Sequence, residues 1–163
     1  MTALGVSLEP IEDFLAQKRI AMVGVSRDLS DFSMSLFDEL CRRGYDMVPV
    51  NPKRPSVNGR HCFAHVQDIR PPVTAALLMT TPQVSETVVH DCAAAGIHRV
   101  WMYRATGKGA VSERAVAFCK ANAISVIPGQ CPFMFLPGAG GVHRLHGLFR
   151  RFTGRYPHRS IAA

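Results

Sequence analysis

No stretch of this chain approaches the roughly 18 apolar residues that a membrane-spanning helix requires. Its first twenty residues carry acids and no apolar run of signal-peptide length. A cytoplasmic protein that is not exported is therefore expected. The five cysteines (Cys41, Cys62, Cys92, Cys119 and Cys131) are odd in number and include no C-x-x-C pair. That usage argues against a disulfide framework and for a reducing compartment. Acids are missing from one region in particular. Residues 137–163 hold Arg144, Arg150, Arg151, Arg155 and Arg159 without a single Asp or Glu, so most of the formal net charge of +7 belongs to the tail. The rest of the chain is only mildly basic, which counts against a nucleic-acid footprint spread over the whole molecule. Internal repeats and low-complexity segments are also absent.

What is present is a strand and helix alternation. Arg19 to Gly24 is a short apolar run ending in glycine, followed by Ser33 to Arg43 with Leu36, Phe37 and Leu40 at helical spacing. Tyr45 to Val50 is a second strand, halted by Asn51-Pro52-Lys53 and a loop rich in Pro, Gly and Asn through Gly59. Val73 to Met79 is apolar on both faces, as a strand covered on both sides should be. Pro82 opens a helix over Gln83 to Ala95, Arg99 to Tyr103 is a fourth strand, Val111 to Asn122 a helix, and Ile124 to Ile127 a fifth strand. With 163 residues, 47% of them hydrophobic, one core is expected. The alternation predicts an α/β fold: a single Rossmann-like, doubly wound domain with a mainly parallel sheet of about five strands. Its expected organisation is a lead-in with a short helix (1–18), the domain proper (19–136) and a basic extension (137–163), hinged at the Gly-rich residues 137–141.

In such a sheet, ligands sit at the carboxyl ends of the strands where the strand order reverses. After the first strand stand Gly24, Val25, Ser26 and Arg27, where glycine would let a phosphate approach the backbone ahead of a helix N-terminus. The dinucleotide pattern G-x-G-x-x-G is missing, because Ser26 holds the second glycine position. After the second strand, where a conventional NAD site places an acid, the chain supplies Asn51, Pro52 and Lys53. A cation there points to a ligand with an additional phosphate.

Together, Ile20 to Ser26, Val48-Pro49-Val50-Asn51-Pro52-Lys53, the Pro82 turn, Val100-Trp101-Met102 and Cys131-Pro132 resemble the landmarks of the standalone CoA-binding protein family. The family is itself similar to the CoA-binding domain of the succinyl-CoA synthetase α subunit. The likeness spans roughly residues 12–133, and P-V-N-P-K is its most specific piece. It implies coenzyme A or an acyl-CoA as bound ligand, phosphates on the loop Gly24 to Arg27, Lys53 and Asn51 at the phosphate-bearing adenosine end, and Pro82, Trp101 and Met102 along the cleft. Plainer readings exist for two of these residues: Lys53 as a solvated turn lysine and Trp101 as core packing. The segment Arg27 to Ser33 departs from the N-P-x-R-x-S type of loop found in many relatives.

The remaining candidates are weaker. Cys131 precedes a proline at the end of the last strand but has no sequence partner that would activate it. Cys41, Cys92 and Cys119 read as small packed residues on helices. His143 and His146 supply two metal ligands with no fixed third, and His61 and His65 form a looser pair still, so no metal site is expected. The segment Val142 to Phe152 reads as an amphipathic basic helix that docks on the body or on a second copy in a homodimer, binds nucleic acid or an anionic surface, or helps to hold ligand phosphates. No catalytic triad, paired carboxylate or P-loop pattern stands out, so the expected function is a non-catalytic CoA-binding or regulatory module. Its alternatives are a small NADP-dependent oxidoreductase and a protein that binds anionic polymers through its Arg-rich tail.

Overall fold

Two strands of this protein contain a proline, Pro49 and Pro128, and that placement already constrains the sheet, because a residue without N–H is tolerated where no ladder bond is lost. The computed structural model describes residues 7–26, 31–105 and 107–138. The chain runs α1 (Leu8–Ala16), β1 (Arg19–Val23), α2 (Phe32–Arg42), β2 (Asp46–Val50), β3 (Ser56–Val57), β4 (Arg60–His61), β5 (Ala75–Leu78), α3 (Pro82–Ala94), β6 (Arg99–Tyr103), α4 (Glu113–Ala121) and β7 (Ser125–Gln130). Five parallel strands pair in the order β2-β1-β5-β6-β7, so Pro49 and Pro128 both lie on edge strands. This is the α/β Rossmann-like sheet expected from the alternation. Arg27, Val142 to Phe152, His143 and His146 fall outside the described residues, as does the extension beyond Gly138.

Successive residues of each strand point to opposite faces, and the two faces have different helices to bury them. On one face Ile20, Met22, Ala75, Leu77, Trp101 and Ile127 pack with Ile11 and Phe14 of α1 and Met34, Phe37 and Leu40 of α2. On the other, Ala21, Val23, Ala76, Leu78, Val100 and Met102 pack with Val89 and Cys92 of α3 and Val116 and Cys119 of α4. The strand order reverses between β1 and β5, because α2 carries the chain to one side of β1 and the later crossovers carry it to the other. In this fold the crevice at that reversal lies between the loops that follow β1 and β5.

One element differs from the sequence expectation. The loop after β2 contains the two-stranded antiparallel hairpin of β3 and β4, turned at Asn58 (φ +49°) and Gly59 (φ +75°). Asn-Gly is the favoured pair for a two-residue turn that needs positive φ at both positions. The flanking strands are two residues each, too short to show alternation. Val57 is fully buried, and the Asn58 amide donates to Asp38 Oδ1 on α2 at 2.5 Å, so the hairpin is pinned to the α2 side.

Cys92 and Cys119 face each other's helices in the core, and burial pushes both thiols up from their ordinary value of 9.0, Cys119 to about 11. The folded state thus keeps protons that the unfolded chain releases. Stability is expected to hold below about pH 9 and to fall as pH rises from 9 towards 11. A melting temperature that stayed level across that window would contradict neutral buried thiols.

Candidate ligand cleft

Gly24 ends β1 with φ +90°, and its Cα faces the end of β5 so closely that an added Cβ would lie 2.8 Å from the Met79 carbonyl oxygen and 3.1 Å from Thr80 Cγ2. The Gly24 N–H donates to Val50 O at 2.9 Å, and the Met79 N–H donates to Val23 O at 2.8 Å. Three strand ends are thereby locked together at one glycine. From there Val25 turns inward and is fully buried, while Ser26 donates its N–H to Ser33 Oγ at 2.8 Å on the first turn of α2.

The segment after β2 is tied to the same loop. The Asn51 amide donates to Val25 O at 3.0 Å, and Asn51 Oδ1 accepts the Lys53 N–H at 2.9 Å, fixing a turn that places Lys53 at the exposed surface. The Arg54 guanidinium donates to Ser26 O and reaches Met34 Sδ at 3.7 Å. Gly24, Val25, Ser26, Asn51 and Lys53 therefore come together. Arg54 joins them, a residue that sequence reading passed over although the adjacent cations Lys53 and Arg54 were a visible signal. Ser33, only 4% exposed, was likewise read only as a helix residue.

The N-terminus of α2 is capped from within. Asp31 Oδ1 accepts the Ser33 N–H at 2.8 Å, and the Asp31 carbonyl accepts the Met34 and Ser35 N–H groups. A carboxylate thus already neutralises the positive end of this helix. The Gly24 and Ser26 N–H groups are engaged as well, so the charge offered to a phosphate here is that of the cations on the β2 turn. Across the crevice, Pro82 opens α3 and is half-buried, with the Thr81 hydroxyl capping the Val84 N–H at 3.4 Å and Thr80 and Ser85 hydroxyls paired at 2.7 Å.

Trp101 and Met102 take a different position from the cleft border that the family likeness implied. Both are fully buried. Trp101 packs edge-on to Phe14 of α1 at 5.3 Å and donates its indole N–H to Gln130 O at 3.0 Å, and Met102 faces α3 and α4. The apolar area that a core position removes from water outweighs any edge role for these side chains. The residue that reaches the rim is the next one, Tyr103. Its ring stacks on Phe32 at 5.2 Å, and Phe32 meets Phe133 edge-on at 5.5 Å, joining the start of α2 to the ends of β6 and β7. Burial, with Cys131 and Asp31 nearby, pushes the Tyr103 hydroxyl up to about 12, so it stays protonated at neutral pH. Cys62 lies behind the Asn51 turn, with Sγ 3.7 Å from Asn51 O, and burial raises its thiol as well. Cys131 is 6% exposed.

Residues 18–137 match the family described as the CoA binding domain. The chain belongs to that family. Among solved structures it is similar to a hypothetical protein from Pyrococcus horikoshii OT3, with 25% identity, a TM-score of 0.73 and coverage of 81% of this chain and 92% of that one. A conserved hypothetical protein from Pyrococcus furiosus shares 24% identity over 70% of this chain and 95% of its own, with a TM-score of 0.64. A dinucleotide-forming acetyl-coenzyme A synthetase of Ca. Korarchaeum cryptofilum matches 67% of this chain with 25% of its length, at 24% identity and a TM-score of 0.59. The last two likenesses are of fold. Among the described residues, no group of three His, Cys, Asp or Glu side chains could hold a metal, and no helix is long and apolar enough to cross a membrane.

Proposed function

We propose that this CoA-binding domain takes up CoA or an acyl-CoA at the crevice between β1 and β5 and acts as a binding or regulatory module without chemistry of its own. The observation that carries the reading is the knot at Asn51, which fastens the turn bearing Lys53 and Arg54 to the backbone of Val25 and Ser26. Two cations on one rigid turn beside the Gly24 loop suit a ligand that carries a diphosphate and a separate phosphate monoester. The absence of an acid after β2 disfavours the ribose contact of an NAD enzyme. The thiol nearest the Asn51 turn, Cys62, is kept protonated by burial and is therefore a poor nucleophile. That supports a module that holds the ligand for a partner rather than transforming it.

Calorimetric titration tests this directly. CoA is expected to bind more tightly than dephospho-CoA or NADP, and Lys53→Ala is expected to weaken CoA roughly tenfold, the scale of one charge-assisted phosphate contact. The same substitution should leave the fold intact, since Lys53 lies at the exposed surface. Equal CoA affinity in the two proteins would remove Lys53 from the site. Binding of NADP in preference to CoA would favour the oxidoreductase reading instead.

A further inference from the structure

Arg104 directly follows β6, at the same edge of the sheet as the crevice. A loop glycine, Gly109, and a glycine of β7, Gly129, are fitted around it. An added Cβ on Gly109 would come within 2.8 Å of Arg104 Cα and 2.9 Å of its Cβ, and one on Gly129 would come within 2.7 Å of Nε and Nη2 and 2.8 Å of Cζ. The Cα and Cβ of Arg104 thus lie against one glycine and its guanidinium against the other. Nevertheless this half-buried cation makes no ion pair or side-chain hydrogen bond with the described residues. Holding a guanidinium in one place while stripping part of its water is unfavourable unless an oxyanion completes it.

We infer that Arg104 recognises a carboxylate at the acyl end of the ligand, so that the thioester accepted here is that of a dicarboxylic acid. The inference rests on the CoA reading above. Along the carboxyl edge the order is the Lys53 turn after β2, the Gly24 loop after β1, the Pro82 turn after β5 and Arg104 after β6. Neighbouring strands are about 4.8 Å apart, which puts Arg104 about 10 Å beyond the Gly24 loop, on the side away from Lys53. A ligand laid with its phosphates on the first two positions reaches β6 with its thiol end. The ligand's own phosphates are then matched before Arg104, and the charge it meets must come from the acyl group. The planar fork of arginine suits a carboxylate through two parallel hydrogen bonds.

The test compares malonyl-, succinyl- and glutaryl-CoA with acetyl-CoA, butyryl-CoA and free CoA by calorimetry on the full chain and on Arg104→Gln and Arg104→Lys. At least one dicarboxylic thioester is expected to bind roughly tenfold more tightly than acetyl-CoA, with that advantage lost in Arg104→Gln, partly kept in Arg104→Lys, and CoA affinity unchanged in both. Equal binding of all thioesters to the unsubstituted protein would overturn the assignment while leaving the CoA reading intact. So would a parallel loss for CoA, acetyl-CoA and the dicarboxylic series in Arg104→Gln, which would put a phosphate on this arginine. Failure of every CoA compound to bind the unsubstituted protein would remove both.

Discussion

Replacing Gly24 with alanine is expected to abolish CoA binding at micromolar ligand and to destabilise the fold by at least about 1–3 kcal/mol, the typical scale for a non-glycine residue held at an unfavourable positive φ. Two independent effects add here. The backbone at φ +90° is strained for any L side chain, and the new methyl would sit 2.8 Å from the Met79 carbonyl, which belongs to backbone and cannot swing aside. Relief requires β1 and β5 to part at their carboxyl ends, where the ligand is to be held. Urea denaturation and calorimetry would report the two losses separately. An alanine variant with normal CoA affinity would show that the ligand avoids the crevice, whatever its stability.

Trp101→Ala should produce the largest loss of stability in the molecule, about 3–5 kcal/mol by the precedent of large aromatic truncations, or a fall in melting temperature on the order of 10 °C. The side chain is fully buried between Phe14 and Phe135, and its indole N–H satisfies the Gln130 carbonyl. Trp101→Phe separates packing from ligand contact. It should retain more of the stability than alanine does and leave CoA affinity unchanged. A phenylalanine variant that melted normally yet bound CoA poorly would return Trp101 to the cleft border.

Much of this arrangement was legible in the sequence for a simple reason: the ends of apolar runs mark the carboxyl edge of a parallel sheet, and ligand residues gather there. Gly24, Ser26, Asn51 and Lys53 each follow a strand, so locating the strands located them. The cleft-border position of Trp101 and Met102 came from the family likeness, not from the strand pattern. Counting alternation along β6 would have assigned them to opposite buried faces. Arg54 was missed because its role depends on the Asn51 turn, which folds its side chain back to Ser26 O. The seat of Arg104 is harder still to foresee. It needs Gly109 and Gly129, twenty residues apart in the chain, brought against one side chain by the pairing of β6 with β7.

The two edge prolines bear on how copies of this protein can meet. On β2, the outward carbonyl of Pro49 is already taken by the Phe63 N–H at 3.0 Å, and the Phe63 carbonyl accepts the Asn51 N–H at 2.9 Å. On β7, Pro128 removes a donor midway along the strand. Neither flank therefore offers an uninterrupted ladder of donors and acceptors to a neighbouring sheet. Strand-by-strand growth from molecule to molecule, the route to fibres, is obstructed on both sides.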